Sequence, residues 1–186
     1  MMKNIHILAC LSILCLSCVS CSEKKDISEM IKAAESGNPK AQAELGLIYE
    51  TGDTNVPQNI SNAIEWYQKA VDGGDADAAL HLGLMYFTGT GVHKNHASAV
   101  NLYEKAAERG NNDAQFILSN LYFNGVVVPK DMVKAYAWVS LALDGEGETG
   151  ADAKRRIEAI TSIMIPQQLL QAQAEATRLL INAKKK

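Results

Sequence analysis

Residues 38–49 read NPKAQAELGLIY, and this pattern decides the fold because it returns twice further along the chain. The second copy is DADAALHLGLMY at residues 75–86, and the third is NNDAQFILSNLY at residues 111–122. Self-similarity at a fixed period is the signature of repeat proteins, in which each unit is one supersecondary motif.

A second pattern follows each copy of the first. It reads AIEWYQKA at residues 63–70, AVNLYEKA at 99–106 and AYAWVSLA at 135–142. The starting positions 63, 99 and 135 are 36 residues apart in both steps. Each unit therefore consists of two segments in a fixed order.

Each segment has its own start and stop signals for a helix. An amide or acidic side chain precedes both patterns, and such side chains accept hydrogen bonds from the free amides of a first helical turn. A glycine follows both patterns and suits the left-handed conformation that ends a helix. The predicted starts are Asn38, Asp75 and Asn111 for the first helices and Asn59, Asn95 and Asp131 for the second; the predicted stops are Gly52, Gly89, Gly125, Gly37, Gly74 and Gly110.

The spacing of apolar residues predicts how the helices pack. Ala41, Leu45 and Tyr49 recur every fourth residue and form one apolar stripe. Gly46 and Gly83 lie beside this stripe, where a missing side chain allows a second helix to approach closely. A single helix pair buries such a face poorly, whereas stacked pairs bury a continuous core. We therefore predict an all-α solenoid.

The motifs L-G-x-x-Y and A-x-x-W/L-Y-x-K-A resemble the Sel-one-like repeat, a branch of the tetratricopeptide superfamily. The resemblance implies a right-handed superhelix. The third unit departs most from the pattern, with Ser119 for the glycine and Val139 for the tyrosine. The implied repeat region is 27–147, made of a partial unit at 27–37 and full units at 39–74, 75–110 and 111–147.

Residues 148–186 are predicted to form C-terminal capping helices. We expect one helix from Ala151 to Ile163, with Ile157 and Ile160 on its apolar side together with Ile163. Pro166 then begins a final helix, since proline is accepted in a first helical turn.

The N-terminal segment differs in composition from the rest of the chain. It contains one lysine and then an apolar run over residues 5–19, shorter than the ~20 residues of a membrane-spanning helix. These proportions are typical of a secretory signal. All four cysteines, Cys10, Cys15, Cys18 and Cys21, lie in this segment, so the exported domain is predicted to fold without disulfides.

The end of this segment resembles a bacterial lipoprotein signal, in which a small residue precedes a cysteine that becomes lipidated. The resemblance implies a signal at 1–21 ending at Cys21, a tether at 22–26, and a periplasm-facing lipoprotein of the outer membrane. Cys18, which follows Ser17, is the alternative lipidation site. A cleaved soluble periplasmic protein and an uncleaved anchor are the other two interpretations. In the lipoprotein interpretation, the membrane is reached only through the lipid.

The sequence offers no catalytic constellation. His93 and His96 have no cysteine or carboxylate pair beside them that would complete a zinc shell, so we predict no metal and no cofactor. Ser22 and Lys25 have S-x-x-K spacing but lie in the tether, without a predicted pocket. The net charge of −3 provides no basic stripe, and nucleic acid is not expected as a partner.

The resemblance to tetratricopeptide repeats implies that the first helix of each pair lines a concave groove. The implied groove positions are Ala43, Leu47 and Glu50, then Leu80, Leu84 and Phe87, then Phe116, Asn120 and Phe123. Leu80 and Phe116 are equally consistent with packing on the next helix pair. A groove of this kind suits an amphipathic helix or an extended peptide with apolar anchors. We predict that Leu47, Leu84, Phe87, Phe116, Asn120 and Phe123 contact the partner.

The function expected from these features is protein binding without catalysis. The leading hypothesis is an envelope lipoprotein that acts as an adaptor. The family resemblance also allows a periplasmic immunity protein that neutralises a secreted antibacterial effector such as a lipase. A β-lactam or cell-wall hydrolase is a minor alternative.

Overall fold

A computed structural model describes residues 27–53, 56–144 and 147–183. The predicted signal, the tether and both candidate lipidation sites, Cys18 and Cys21, lie outside these ranges. Within them the chain forms nine α-helices, one 3-10 turn and no strand. The helices are α1 (Ile27–Glu35), α2 (Pro39–Thr51), α3 (Ile60–Asp72), α4 (Ala76–Thr88), α5 (His96–Glu108), α6 (Asn112–Asn124), α7 (Met132–Leu141), α8 (Gly147–Thr161) and α9 (Pro166–Ala183), with the 3-10 turn at Ala142–Asp144.

The six predicted helix starts are confirmed. In each case the side-chain oxygen accepts a hydrogen bond from the backbone amide three residues later, at 2.8 to 3.1 Å. The predicted stops also hold, because the six glycines that end the helices all have positive φ. These local interactions fix the length of each helix, and the helices then stack as α2 on α3, α4 on α5 and α6 on α7.

The close approach predicted at the two helix glycines is confirmed. A Cβ atom placed on Gly46 would lie 2.7 Å from Cδ1 of Tyr67, and one placed on Gly83 would lie 2.8 Å from Cε1 of Tyr103. Both tyrosines are buried. Each tyrosine ring on a second helix therefore occupies the space that a side chain on the first helix would need.

The third unit fills the same space differently. Ser119 replaces the glycine and is fully buried, and its hydroxyl donates to the backbone oxygen of Ala135 at 2.8 Å. Val139 replaces the tyrosine and is also fully buried. Ser119 is larger than the glycine of the other units, and Val139 is correspondingly smaller than their tyrosine.

The C-terminal helices follow the prediction only in part. α8 begins at Gly147, four residues before the predicted start, and Gly150 lies buried within this helix. Ile160 is buried as predicted, but Ile163 is 58% exposed because α8 ends at Thr161. α9 begins at Pro166, as predicted, and packs along α7 with a further contact to α5.

Candidate functional site

The exposed side of α2, α4 and α6, which we call the first-helix face, carries two large apolar side chains. Leu47 is 42% exposed and Leu84 is 39% exposed. They occupy equivalent positions in the first and second units. Leu45 and Leu82, two residues earlier in each helix, are buried. Because a two-residue step rotates a helical position by more than half a turn, Leu47 and Leu84 point away from the core.

A depression of about 350 Å³ lies on this face between α2, α4 and the start of α6. Its apolar lining includes Ala43, Leu47 and Leu80, so these three predicted groove positions are brought together. One lysine and four carboxylates also line it, together with an imidazole and a phenol. These polar residues are Lys40, Glu44, Asp75, Asp77, Asp113, His81 and Tyr67, and Asn111 completes the polar lining.

Two of the carboxylates are held by hydrogen bonds that cross from one unit to the next. Asn111 caps α6 through its side-chain oxygen, and its amide nitrogen donates to Oδ1 of Asp77 at 2.8 Å. Thr149 of α8 donates to Oδ1 of Asp113 at 2.6 Å. Asp77 and Asp113 are equivalent positions, 36 residues apart, and both are exposed. The rim of the depression is therefore fixed in position and negatively charged.

A second polar cluster lies where the first and second units meet. The Tyr67 hydroxyl donates to Oε2 of Glu50 at 2.6 Å, and Nδ1 of His81 lies 3.3 Å from the same oxygen. The Tyr67 and His81 rings stack with centroids 5.2 Å apart and planes inclined by 8°. Burial, and next the hydrogen bond to Glu50, raise the pKa of Tyr67 well above its ordinary value. His81 is thus held as a flat, partly exposed platform.

The three predicted phenylalanines are half-buried. Phe116 packs against the core. Phe87 contacts the ring of His96 edge-on, with centroids 4.8 Å apart. The Arg156 guanidinium of α8 lies 4.4 Å from the centroid of the Phe123 ring. Their contact with a partner stays a prediction.

Asn120 is also half-buried. Its Oδ1 atom is inaccessible to solvent and has no hydrogen-bond partner among the described residues. The predicted contact of Asn120 with a partner stays a prediction.

Most of the polar residues of this face were not predicted from the sequence. Asp77, Asp113, Arg156 and His81 were not among the predicted site residues. A signal was present for the first two, because alignment of the units places both aspartates one residue beyond the start of a first helix. No local pattern indicates Arg156, whose place on Phe123 depends on the packing of α8.

Candidate metal-binding groups and membrane-spanning helices are both absent from the described ranges. No group of three or more histidine, cysteine, aspartate or glutamate side chains is arranged there to hold a metal ion, and His93 and His96 belong to none. No helix in the same ranges combines the length and apolar character that crossing a bilayer requires.

Comparison with known proteins identifies the repeat. The profile of the family described as Sel1 repeat matches residues 39–75, 76–111 and 112–146. The crystal structure of a Sel1 repeat protein from Oxalobacter formigenes is 36% identical, with a TM-score of 0.65; the match covers 72% of this chain and 98% of that one.

Two other proteins are similar over smaller parts of their length. The protein c5321, described as a protective antigen present in uropathogenic Escherichia coli strains displaying an SLR fold, is 25% identical with a TM-score of 0.54. That match covers 84% of this chain and 41% of c5321. The rat protein DAP3-binding cell death enhancer 1 is 34% identical over 72 residues, which is 39% of this chain. This chain spans 14% of the length of the rat protein.

Proposed function

Since this chain belongs to the Sel1 repeat family, whose members typically mediate protein–protein interaction, we propose that it is an adaptor that binds a protein partner on its first-helix face. The family is generally non-enzymatic, and the proposed role requires no chemistry. The adaptor holds its partner through surface complementarity alone.

The observation that carries this proposal is the exposure of Leu47 and Leu84 in line on one face. Both leucines lie on helices whose opposite side is buried, so the repeat presents them at a fixed spacing. Complete burial of a fully exposed leucine is favourable by about 1.5–3 kcal/mol, so covering one of these leucines, each about two-fifths exposed, is favourable by about 1 kcal/mol. The depression beside Leu47 gives the partner a concave surface to enter.

Site-specific photo-crosslinking tests this assignment in the cell. A photoreactive amino acid is placed at Leu84 and, as the matched control, at Lys105, an exposed position on the second helix of the same unit. We expect a discrete crosslinked protein from position 84 and none from position 105. Crosslinking from position 105 alone, or equally from both positions, would reject the first-helix face as the binding surface.

The identity of the crosslinked protein distinguishes the two forms of the proposal. An envelope protein would identify the chain as an adaptor in the envelope. A secreted effector such as a lipase would identify it as an immunity protein. Protection of cells from that effector, lost in a Leu84→Glu variant that still folds, would establish the second form.

We further propose that the protein is exported and anchored by a lipid on Cys21, with Cys18 as the alternative attachment site. Support comes from the apolar segment at residues 5–19 and from the two cysteines at its end, Cys18 and Cys21, each of which directly follows a serine. Metabolic labelling with palmitate is expected to mark the protein, and Cys21→Ser is expected to abolish the label. Labelling that survives Cys21→Ser and is lost in Cys18→Ser would move the anchor to Cys18.

A further inference from the structure

We propose that the partner segment bound on the first-helix face carries an arginine next to an apolar side chain. This inference rests on the proposed function and specifies the chemistry of the partner. The arginine would lie in the depression between α2, α4 and α6, and the apolar side chain would cover Leu84, one turn beyond His81 on α4.

The negative charge of the depression favours a cationic partner segment. The depression is lined by four carboxylates and one lysine. Lys40 lies in the first turn of α2, at the position equivalent to Asp77, and the carboxylates outnumber it. A cationic segment is therefore attracted to the depression, and an acidic segment is repelled.

The two rim carboxylates, Asp77 and Asp113, are held in place before a ligand binds. Asn111 fixes Asp77, and Thr149 fixes Asp113, each through Oδ1. A carboxylate can accept hydrogen bonds at both of its oxygens, so each still offers Oδ2 to a ligand. Because the side chains are ordered before binding, less conformational entropy is lost when the ligand arrives.

The lining of the depression favours arginine over lysine. His81 lines the depression one turn beyond Asp77 on α4, and its ring is stacked on the buried ring of Tyr67. A planar guanidinium stacks on an aromatic face while its edge donates two hydrogen bonds to a carboxylate, whereas an ammonium group does not stack in this way. Leu47 of α2 also lines the depression, where it would cover the aliphatic part of the same side chain.

Selection from a random peptide library displayed on phage tests the inference with the full chain as the target. We expect the enriched peptides to share an arginine within a few residues of a leucine, isoleucine or phenylalanine. Replacing that arginine by lysine should weaken binding of a synthetic peptide, and replacing it by glutamine should weaken binding further. Binding should also weaken with rising salt concentration, because exposed charges are screened.

Variants of the chain locate the contact. Asp77→Asn with Asp113→Asn keeps the acceptor oxygens for Asn111 and Thr149 but removes both charges, and we expect peptide affinity to fall about tenfold. Glu65→Gln removes a carboxylate from the exposed side of α3 and should leave the affinity unchanged. Circular dichroism confirms that the variants fold.

The outcomes separate this inference from the proposed function. Peptides that lack basic residues but lose binding on Leu84→Glu would overturn the arginine assignment and leave the binding face intact. Enrichment of acidic peptides would also overturn it. If no peptide depends on Leu47 or Leu84, the binding face and the arginine assignment both fail.

Discussion

Replacing Gly83 by alanine tests how tightly the helix pairs are packed. The new Cβ atom would lie 2.8 Å from Cε1 and 2.9 Å from Cδ1 of Tyr103, whereas unstrained carbon atoms lie about 3.5–4.0 Å apart. Tyr103 is 1% exposed, so its ring has no solvent space into which it can move. Overpacking of this kind costs about 1–3 kcal/mol.

Helix propensity acts in the opposite direction at this position. Alanine is more favourable than glycine in a helix interior by about 1 kcal/mol. We therefore expect Gly83→Ala to lower the free energy of unfolding by up to about 2 kcal/mol, the part of the overpacking cost that propensity does not offset. Urea denaturation followed by far-ultraviolet circular dichroism measures this difference.

The third unit suggests a matched background for the experiment. There Ser119 faces Val139, a smaller partner than the tyrosine of the other units. Tyr103→Val alone should be destabilising by about 3 kcal/mol because it leaves a cavity. Adding Gly83→Ala to Tyr103→Val should then raise stability, since the clash is gone and propensity remains. If Gly83→Ala stabilises the original chain, or is equally destabilising in both backgrounds, the tyrosine ring does not limit the space at this glycine.

Three other predictions concern a helix start, the buried tyrosine and the predicted anchors. Asn95→Ala removes the cap of α5 and should lower the unfolding free energy by about 1 kcal/mol in urea denaturation, whereas Asn101→Ala on the exposed side of the same helix should not. Burial raises the pKa of Tyr103 to about 12, so its contribution to the free energy of unfolding is complete below pH 10 and is lost as the pH rises from 10 towards 12. Tyr103→Phe should reduce this loss of stability at alkaline pH, as measured by urea denaturation. An equal loss in the variant would assign the effect to other groups. Phe87→Ala with Phe123→Ala should lower affinity for the crosslinked partner by at least ~2 kcal/mol in calorimetry if both are anchors, and unchanged binding by the folded variant would remove them from the site.

The sequence predicts most of the repeat because its determinants are local. A side chain such as Asn38 bonds to an amide three residues away, and a glycine such as Gly52 takes a conformation that other residues avoid. The contact between Gly46 and Tyr67 spans more residues but recurs in the next unit, so the repeat itself reveals it. A tertiary contact that recurs in each unit can therefore be recognised in the sequence as a repeated pair of residues.

The parts that the sequence does not predict depend on how the units are placed relative to one another. Arg156 covers Phe123 because α8 packs beside α6, and no spacing within α8 indicates this contact. The stack of His81 on Tyr67 joins two units, and the corresponding position in the third unit is Ile117, so no repeated pair marks it. Residues at such junctions form the polar part of the candidate site.

α9 contacts helices of two successive units, the second and the third. Because α9 lies against both α7 and α5, a change of tilt between the second and third units would pull it away from one of these helices. α1, the helix of the partial unit, packs mainly on the adjacent helix α2; it does not bridge the first and second full units and imposes no such restraint. We therefore expect bending to concentrate between the first and second units, so that the groove widens and narrows around Leu47 and Leu84 while its width near Phe123 stays constant.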